Sequence, residues 1–230
     1  MAIVAASPQP RPVVIEVGGA QRVGGLLQVP ESARACYVMA HGAGAGMTHP
    51  FLAGFAADLA QRGIATLRYQ FPYMENKSRR PDPPKIAHAA VRGAVAAAHR
   101  ELPALPLFAG GKSFGGRMTS QAEALAPLPC VAGLVFLGFP LHPAGKPSDE
   151  RGAHLSGVAI PMLFLTGTRD ELAERSLLEP LVARLGPRAA LRLFDEADHS
   201  FHVPARTGRK DADVRAEVAD AMASWIDSTL

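Results

Sequence analysis

Seven consecutive residues, Gly110-Gly111-Lys112-Ser113-Phe114-Gly115-Gly116, constrain this chain more than any other stretch. An apolar run, Leu105 to Ala109, precedes them and reads as a buried strand, and Arg117 to Ala126 reads as a helix. Ser113 therefore sits where a strand turns sharply into a helix, inside the pattern G-x-S-x-G. On so tight a turn the serine backbone is strained, and side chains on its neighbours would collide with adjoining elements. Glycine on either side removes that crowding and leaves the hydroxyl exposed. In a chain with 22 glycines the pattern alone is a weak signal. Gly111-Lys112-Ser113 also matches the end of a phosphate-cradling loop, but that motif needs glycine where this chain has Pro106.

The remaining segments give the turn its setting. Val13–Val17 and Val23–Val29 bracket Gly18-Gly19 and read as an antiparallel hairpin. Strands are predicted at 35–40, 64–69, 131–137, 161–166 and 190–194, and helices at 51–62, 85–101, 176–185 and 211–228. Residues 70–84 are irregular and proline-rich, and 138–157 form a short polar connection. Alternating strands and helices imply an α/β fold: a mostly parallel central sheet with helices on both faces. No linker divides the chain, so residues 1–230 read as one domain, with 1–10 loose.

A charge of +3 without a Lys/Arg arm argues against a nucleic-acid binder. The lack of a signal peptide or a long apolar segment argues against membrane association and makes a cytoplasmic location the expectation. Cys36 and Cys130 lie in or beside apolar runs and are expected to be buried, reduced thiols, and no metal-ligand spacing occurs.

In such sheets, ligands bind beyond the carboxyl ends of the strands. Four candidate groups fall there: the His41 loop, Ser113, Asp170 and His199. A serine hydroxyl needs a base to take its proton and a third group to orient that base. His199, after the last strand, is the candidate base, and Asp170, after the preceding one, the orienter. His142 and His154 break the order serine–acid–histidine. His202 is expected to point elsewhere, and Asp195 and Asp198 share a loop with the histidine they would have to orient. The backbone N–H groups of Phe114 and Ala43 are the candidate oxyanion donors, with His41 and Gly42 supporting the loop. Tyr73 and Met74 are candidates for a substrate pocket; Lys77, Arg79 and Arg80 read first as solvated loop charge and second as an anion-attracting rim.

On His41-Gly42-Ala43-Gly44, the G-x-S-x-G run, Thr166-Gly167-Thr168-Arg169-Asp170 and Ala197-Asp198-His199-Ser200-Phe201, the chain resembles the α/β-hydrolases of the small dienelactone-hydrolase-like kind. Arg68 to Met74 resembles a little-characterised bacterial subgroup of predicted hydrolases. The resemblance implies the α/β-hydrolase fold with a minimal lid, a serine hydrolase of esters or thioesters of small soluble substrates, and no cofactor. Dienelactone hydrolase itself has a cysteine nucleophile where this chain has Ser113, so its substrate does not carry over. A non-catalytic binding or scaffold protein on the same fold is the competing reading. The expected partners are a small-molecule substrate and a second copy of the chain in a homodimer.

Overall fold

The computed structural model describes residues 8–230; the remainder of the loose N-terminus expected over 1–10, residues 1–7, lies outside the described residues. Eight strands form one sheet: β1 (Arg11–Glu16), β2 (Arg22–Gln28), β3 (Ala35–Ala40), β4 (Ile64–Tyr69), β5 (Leu107–Lys112), β6 (Val131–Leu137), β7 (Met162–Gly167) and β8 (Ala189–Phe194). Their spatial order is β1-β2-β4-β3-β5-β6-β7-β8. The β1–β2 hairpin and the β2–β4 pair are antiparallel, and every pairing from β4 through β3 to β8 is parallel.

Residues of β3, β4 and β7 are buried along their whole lengths, as a parallel sheet covered on both faces requires. One face is covered by α3 (Pro84–Glu101), α4 (Phe114–Leu125) and α5 (Arg175–Leu185), which pack Val91, Val95, Met118, Leu178 and Leu181 into a core with Leu67, Leu134 and Phe136. The other face is covered by α1 (Pro50–Gln61) and α6 (Asp211–Thr229), whose Phe55, Leu59, Val214, Val218 and Met222 meet Tyr37, Met39 and Leu163. Each fully buried aliphatic or aromatic side chain of this kind contributes about 1.5–3 kcal/mol.

Two expected boundaries move at the central turn. The elbow strand runs to Lys112 rather than stopping at Ala109, and α4 begins at Phe114 rather than Arg117. Glycines weaken a strand by propensity, but here close approach demands one: a Cβ on Gly111, at φ +145°, would lie 2.2 Å from the Ala40 carbonyl oxygen. Within 70–84 a short helix, α2 (Pro72–Glu75), replaces purely irregular chain. Cys36 is buried as expected, and burial pushes its thiol up to about 12. Cys130 corrects the expectation: it is exposed, because it occupies the turn before β6, at φ +64°, and Val131 is the first strand residue.

The 138–161 connection carries a 3-10 segment, Glu150–Gly157, packed against α4 and α5. Its large apolar residues, Phe139, Leu141 and Leu155, are buried in the core rather than raised over the sheet as a lid. No helix among the described residues is long and apolar enough to cross a membrane.

Candidate active site

The four groups meet beyond the carboxyl ends of β3, β5, β7 and β8. Ser113 directly follows β5, and its backbone takes φ +49°, ψ −115°, outside the ordinary regions for a side-chain-bearing residue. It is the N-cap residue of α4, a position where serine ordinarily bonds its own helix. Here it makes no such bond. Its Oγ lies 2.9 Å from His199 Nε2 instead. The helix sits close enough to the sheet only because position 115 is glycine, where a Cβ would come within 2.6 Å of Ala40 Cβ and the His41 carbonyl oxygen.

His199 Nδ1 lies 2.8 and 2.9 Å from the two carboxylate oxygens of Asp170. Asp170 is fully withdrawn from solvent and also accepts from the Leu172 N–H at 2.9 Å. A carboxylate can only accept, so Nδ1 carries the imidazole proton and Nε2 presents its lone pair to the Ser113 hydroxyl. That is the arrangement which draws a proton from a hydroxyl and stabilises the resulting imidazolium. Asp170 does not cap α5, whose N-cap is Glu174.

The loops that hold these residues are tied together by backbone. Thr168 N–H donates to the Phe194 carbonyl and Arg169 N–H to the Ala197 carbonyl, both at 2.9 Å, fixing the loop after β7 to the loop after β8. Asp198, the acid beside His199, bends its own loop by accepting from the N–H groups of Ser200 (2.7 Å) and His202 (2.9 Å). His202 turns outward to Asp211, at 2.9 Å, as its position beyond His199 predicts. His142 and His154 make no bond to Ser113 or Asp170; His142 Nδ1 faces the Pro143 carbonyl and His154 Nε2 faces Ser120 Oγ.

The loop after β3 lies against the elbow: a Cβ on Gly42 would be 3.9 Å from Ser113 Cβ. His41 is buried, accepts from the Phe71 N–H through Nε2 at 3.1 Å and donates through Nδ1 to the Gly42 carbonyl at 2.7 Å. Desolvation lowers its pKa to about 4, so it is a neutral brace between the loops after β3 and β4. The exposed Ala43 N–H has no acceptor among the described residues, and Phe114 N–H heads α4, where helix donors lack intrahelical partners. Tyr73 is buried against Phe71 and Phe114, and its hydroxyl accepts from the Gly44 N–H at 2.8 Å, bracing the same loop. Met74 is half-buried, with its Cε close to Gly46. Lys77, Arg79 and Arg80 are exposed and make no ion pair among the described residues.

One functional contact escaped the sequence reading. Lys112, the x before the serine in G-x-S-x-G, donates its Nζ to the His199 carbonyl and sits 5.7 Å above the Phe201 ring. Burial lowers its pKa to about 8 against the opposing pull of Asp170 and Asp198. The only local hint was a lysine in an otherwise apolar and glycine-rich run. On the outer side of His199 an open cavity of about 430 Å³ is lined by Arg169, Glu171, Leu172, Asp198, His202 and Pro204. No cluster of metal-ligating side chains occurs among the described residues.

Known proteins share this arrangement of strands. A dienelactone hydrolase from Anabaena variabilis superposes with a TM-score of 0.77 at 24% identity, over 96% of this chain and 98% of that one. A serine hydrolase without a lid from Xanthomonas campestris gives 0.73 at 18% identity, over 94% and 95%. A serine hydrolase homologue from Coxiella burnetii gives 0.74 at 18%, over 92% and 96%. These likenesses establish the fold. The sequence model of the alpha/beta hydrolase domain matches residues 33–227, most of the chain, and the protein belongs to that family.

Proposed function

We propose that the protein is a serine hydrolase that cleaves carboxylic esters or thioesters of small soluble substrates through an acyl-enzyme on Ser113. The observation that carries this reading is the continuous hydrogen-bonded chain Ser113 Oγ–His199 Nε2 and His199 Nδ1–Asp170, at 2.9 and 2.8 Å. Ser113 Oγ attacks the acyl carbon while its proton passes to His199 Nε2. The carbonyl oxygen becomes an oxyanion beside the N–H groups of Phe114 and Ala43. Collapse breaks the bond to the leaving alcohol or thiol, which takes the proton from Nε2. Water, deprotonated by the same nitrogen, then attacks the acyl-enzyme, and Ser113 recovers its proton as the carboxylic acid departs. Throughout, buried Asp170 holds the imidazole in one tautomer.

The site is shallow. Phe139, Leu141 and Leu155 are spent in the core, so the connection after β6 supplies no apolar wall for a long acyl chain. The lidless relative from Xanthomonas campestris is similar in fold and supports the same reading. The test is kcat/KM for acetyl through dodecanoyl esters and thioesters, with Ser113→Ala, Asp170→Asn, His199→Ala and the double variant. The expected result is a maximum at short chains, loss of turnover in Ser113→Ala, and a loss of about 10³-fold or more in each single variant with little further loss in the double. Most of the wild-type rate surviving in Ser113→Ala would overturn the proposal.

A further inference from the structure

Beside α4 lie two cations that the proposed hydrolysis does not use, Arg117 on the helix and Arg151 on the 3-10 segment Glu150–Gly157. Arg117 follows Ser113 by four residues, one helical turn or about 6 Å along the axis. Arg117 is half-buried, and the groups that feel its charge are His88 and His154. From one flank α3 brings His88, whose Nε2 lies 3.2 Å from Gln121 Oε1. From the other flank the 3-10 segment brings Arg151 and His154, with His154 Nε2 2.8 Å from Ser120 Oγ. Burial and, after it, the charge of Arg151 lower the Arg117 pKa, while burial, with Arg117 and His88 adding to it, lowers that of His154 to about 4, so near neutral pH Arg117 and Arg151 are the charged pair.

No acid among the described residues pairs with Arg117 or Arg151. Seven arginines are half-buried among the described residues: Arg62, Arg92, Arg117, Arg151, Arg188, Arg209 and Arg215. Five donate to carboxylates or carbonyls: Arg62 to Asp220, Arg92 to Ala122, Arg188 to Val158, Arg209 to Glu217 and Arg215 to Asp58. The guanidiniums of Arg117 and Arg151 have no hydrogen bond or ion pair among the described residues, and Arg117 Nε is buried without any acceptor. Glu150, exposed at the start of the 3-10 segment, pairs with neither. A buried cationic donor left unpaired beside a second cation is unfavourable unless something outside the chain supplies the acceptor. Lys77, Arg79 and Arg80 differ, because they are exposed to water.

We infer that Arg117 and Arg151 form a recognition site for an oxyanionic group of the substrate, a carboxylate or a phosphate, held on the α4 side of Ser113. The inference rests on the hydrolase reading in that it makes this anion part of the molecule cleaved. A guanidinium fork matches either group through paired N–H donors, which a lysine cannot reproduce. With Arg117 one turn from Ser113, the anion lies several bonds from the scissile carbonyl.

Two measurements test it. Calorimetric titration of the wild-type protein with inorganic phosphate and, separately, with succinate needs no turnover. Saturable binding of one or both is expected, weakened at least tenfold in Arg117→Gln and in Arg151→Gln. The ratio of kcat/KM for a carboxylate- or phosphate-bearing ester to that for a neutral ester of equal length is expected to fall at least tenfold in the same variants. If Arg117→Gln does not fold, Arg117→Lys and Arg151→Gln carry both readouts. Ratios and anion binding unchanged in the variants would overturn the inference. Anion binding that depends on Arg117 in a wild-type protein that hydrolyses no ester would overturn the hydrolase reading and leave the anion site standing.

Discussion

The elbow around Ser113 and the loop that carries His199 supply the two partners of one 2.9 Å contact, yet they are built on different principles. The elbow is set by steric exclusion. Gly111 and Gly115 let strand, turn and helix approach so closely that a single methyl group would strike the backbone of β3 or of the residue after it. The histidine loop, residues 195–203, is set by attraction at a distance. Asp198 draws two of its own N–H groups inward, Lys112 reaches over from β5 to hold the His199 carbonyl, and Phe201, at φ +63°, stacks on Phe51 with ring centroids 5.7 Å apart. A clash can only be avoided in one way, so the elbow tolerates almost no substitution. A web of polar contacts can lose one thread and sag.

That contrast breaks most sharply at Gly111. Gly111→Ala adds a Cβ 2.2 Å from the Ala40 carbonyl at a backbone angle that alanine rarely adopts. It is expected to destabilise the fold by ~3 kcal/mol or more. Gly145→Ala, at a positive φ of 70° with nothing within 4 Å, is the control and should cost only about 1–2 kcal/mol. Equal losses in urea-melting experiments would remove close approach as the reason for glycine in the elbow.

The histidine loop answers more gently. Lys112→Met keeps an unbranched chain over Phe201 but removes the donor to the His199 carbonyl. The fold should survive, while kcat for a neutral short-chain ester falls about tenfold, some 1.4 kcal/mol of transition-state stabilisation, with KM little changed. An unchanged kcat would mean that the loop is held without the lysine.

The smallest effect comes from the brace behind the elbow. The folded protein holds His41 at about 4 against an ordinary 6.5. Between those values the unfolded chain takes up a proton that the folded chain refuses, so stability drops as pH falls through the window. His41→Asn lacks this titration. The stability difference between wild type and His41→Asn should therefore shrink as pH goes from 7 to 4.5, and a comparison of this kind cancels groups such as His202, whose raised pKa acts in the opposite sense. A difference that widens on acidification would contradict the assignment of His41 as a desolvated neutral group.

What could be read from the sequence follows the same division. Steric constraints leave local marks: glycines two residues either side of a serine, apolar runs of strand length, and an acid and a histidine just beyond two of them. Those marks located β3, β4, β6 and β7 to within a residue, and the order Ser113, Asp170, His199. Contacts made across the sheet leave none. Lys112 looks like filler in the motif until β5 and the loop after β8 are adjacent. Tyr73 reads as a pocket aromatic, and only the folded position of Gly44 gives its hydroxyl a loop to brace. Arg117 and Arg151 are 34 residues apart, and nothing local distinguishes them from Arg79 and Arg80, which are exposed. The exposed Cys130 shows the limit from the other side: an apolar neighbourhood in sequence does not place the residue one step before a strand inside it.

The central claim is that His199 makes Ser113 a nucleophile, and covalent trapping tests it without assuming a substrate. A fluorophosphonate reacts with an activated serine by forming an Oγ–P bond and releasing fluoride. Mass spectrometry of the digested protein should find one label per chain, on the peptide holding Ser113, and no label in Ser113→Ala. In His199→Ala the labelling rate should fall by about 10³-fold or more. Labelling of Ser113 at the wild-type rate without His199, or no labelling of Ser113 in the wild-type protein, would contradict the account.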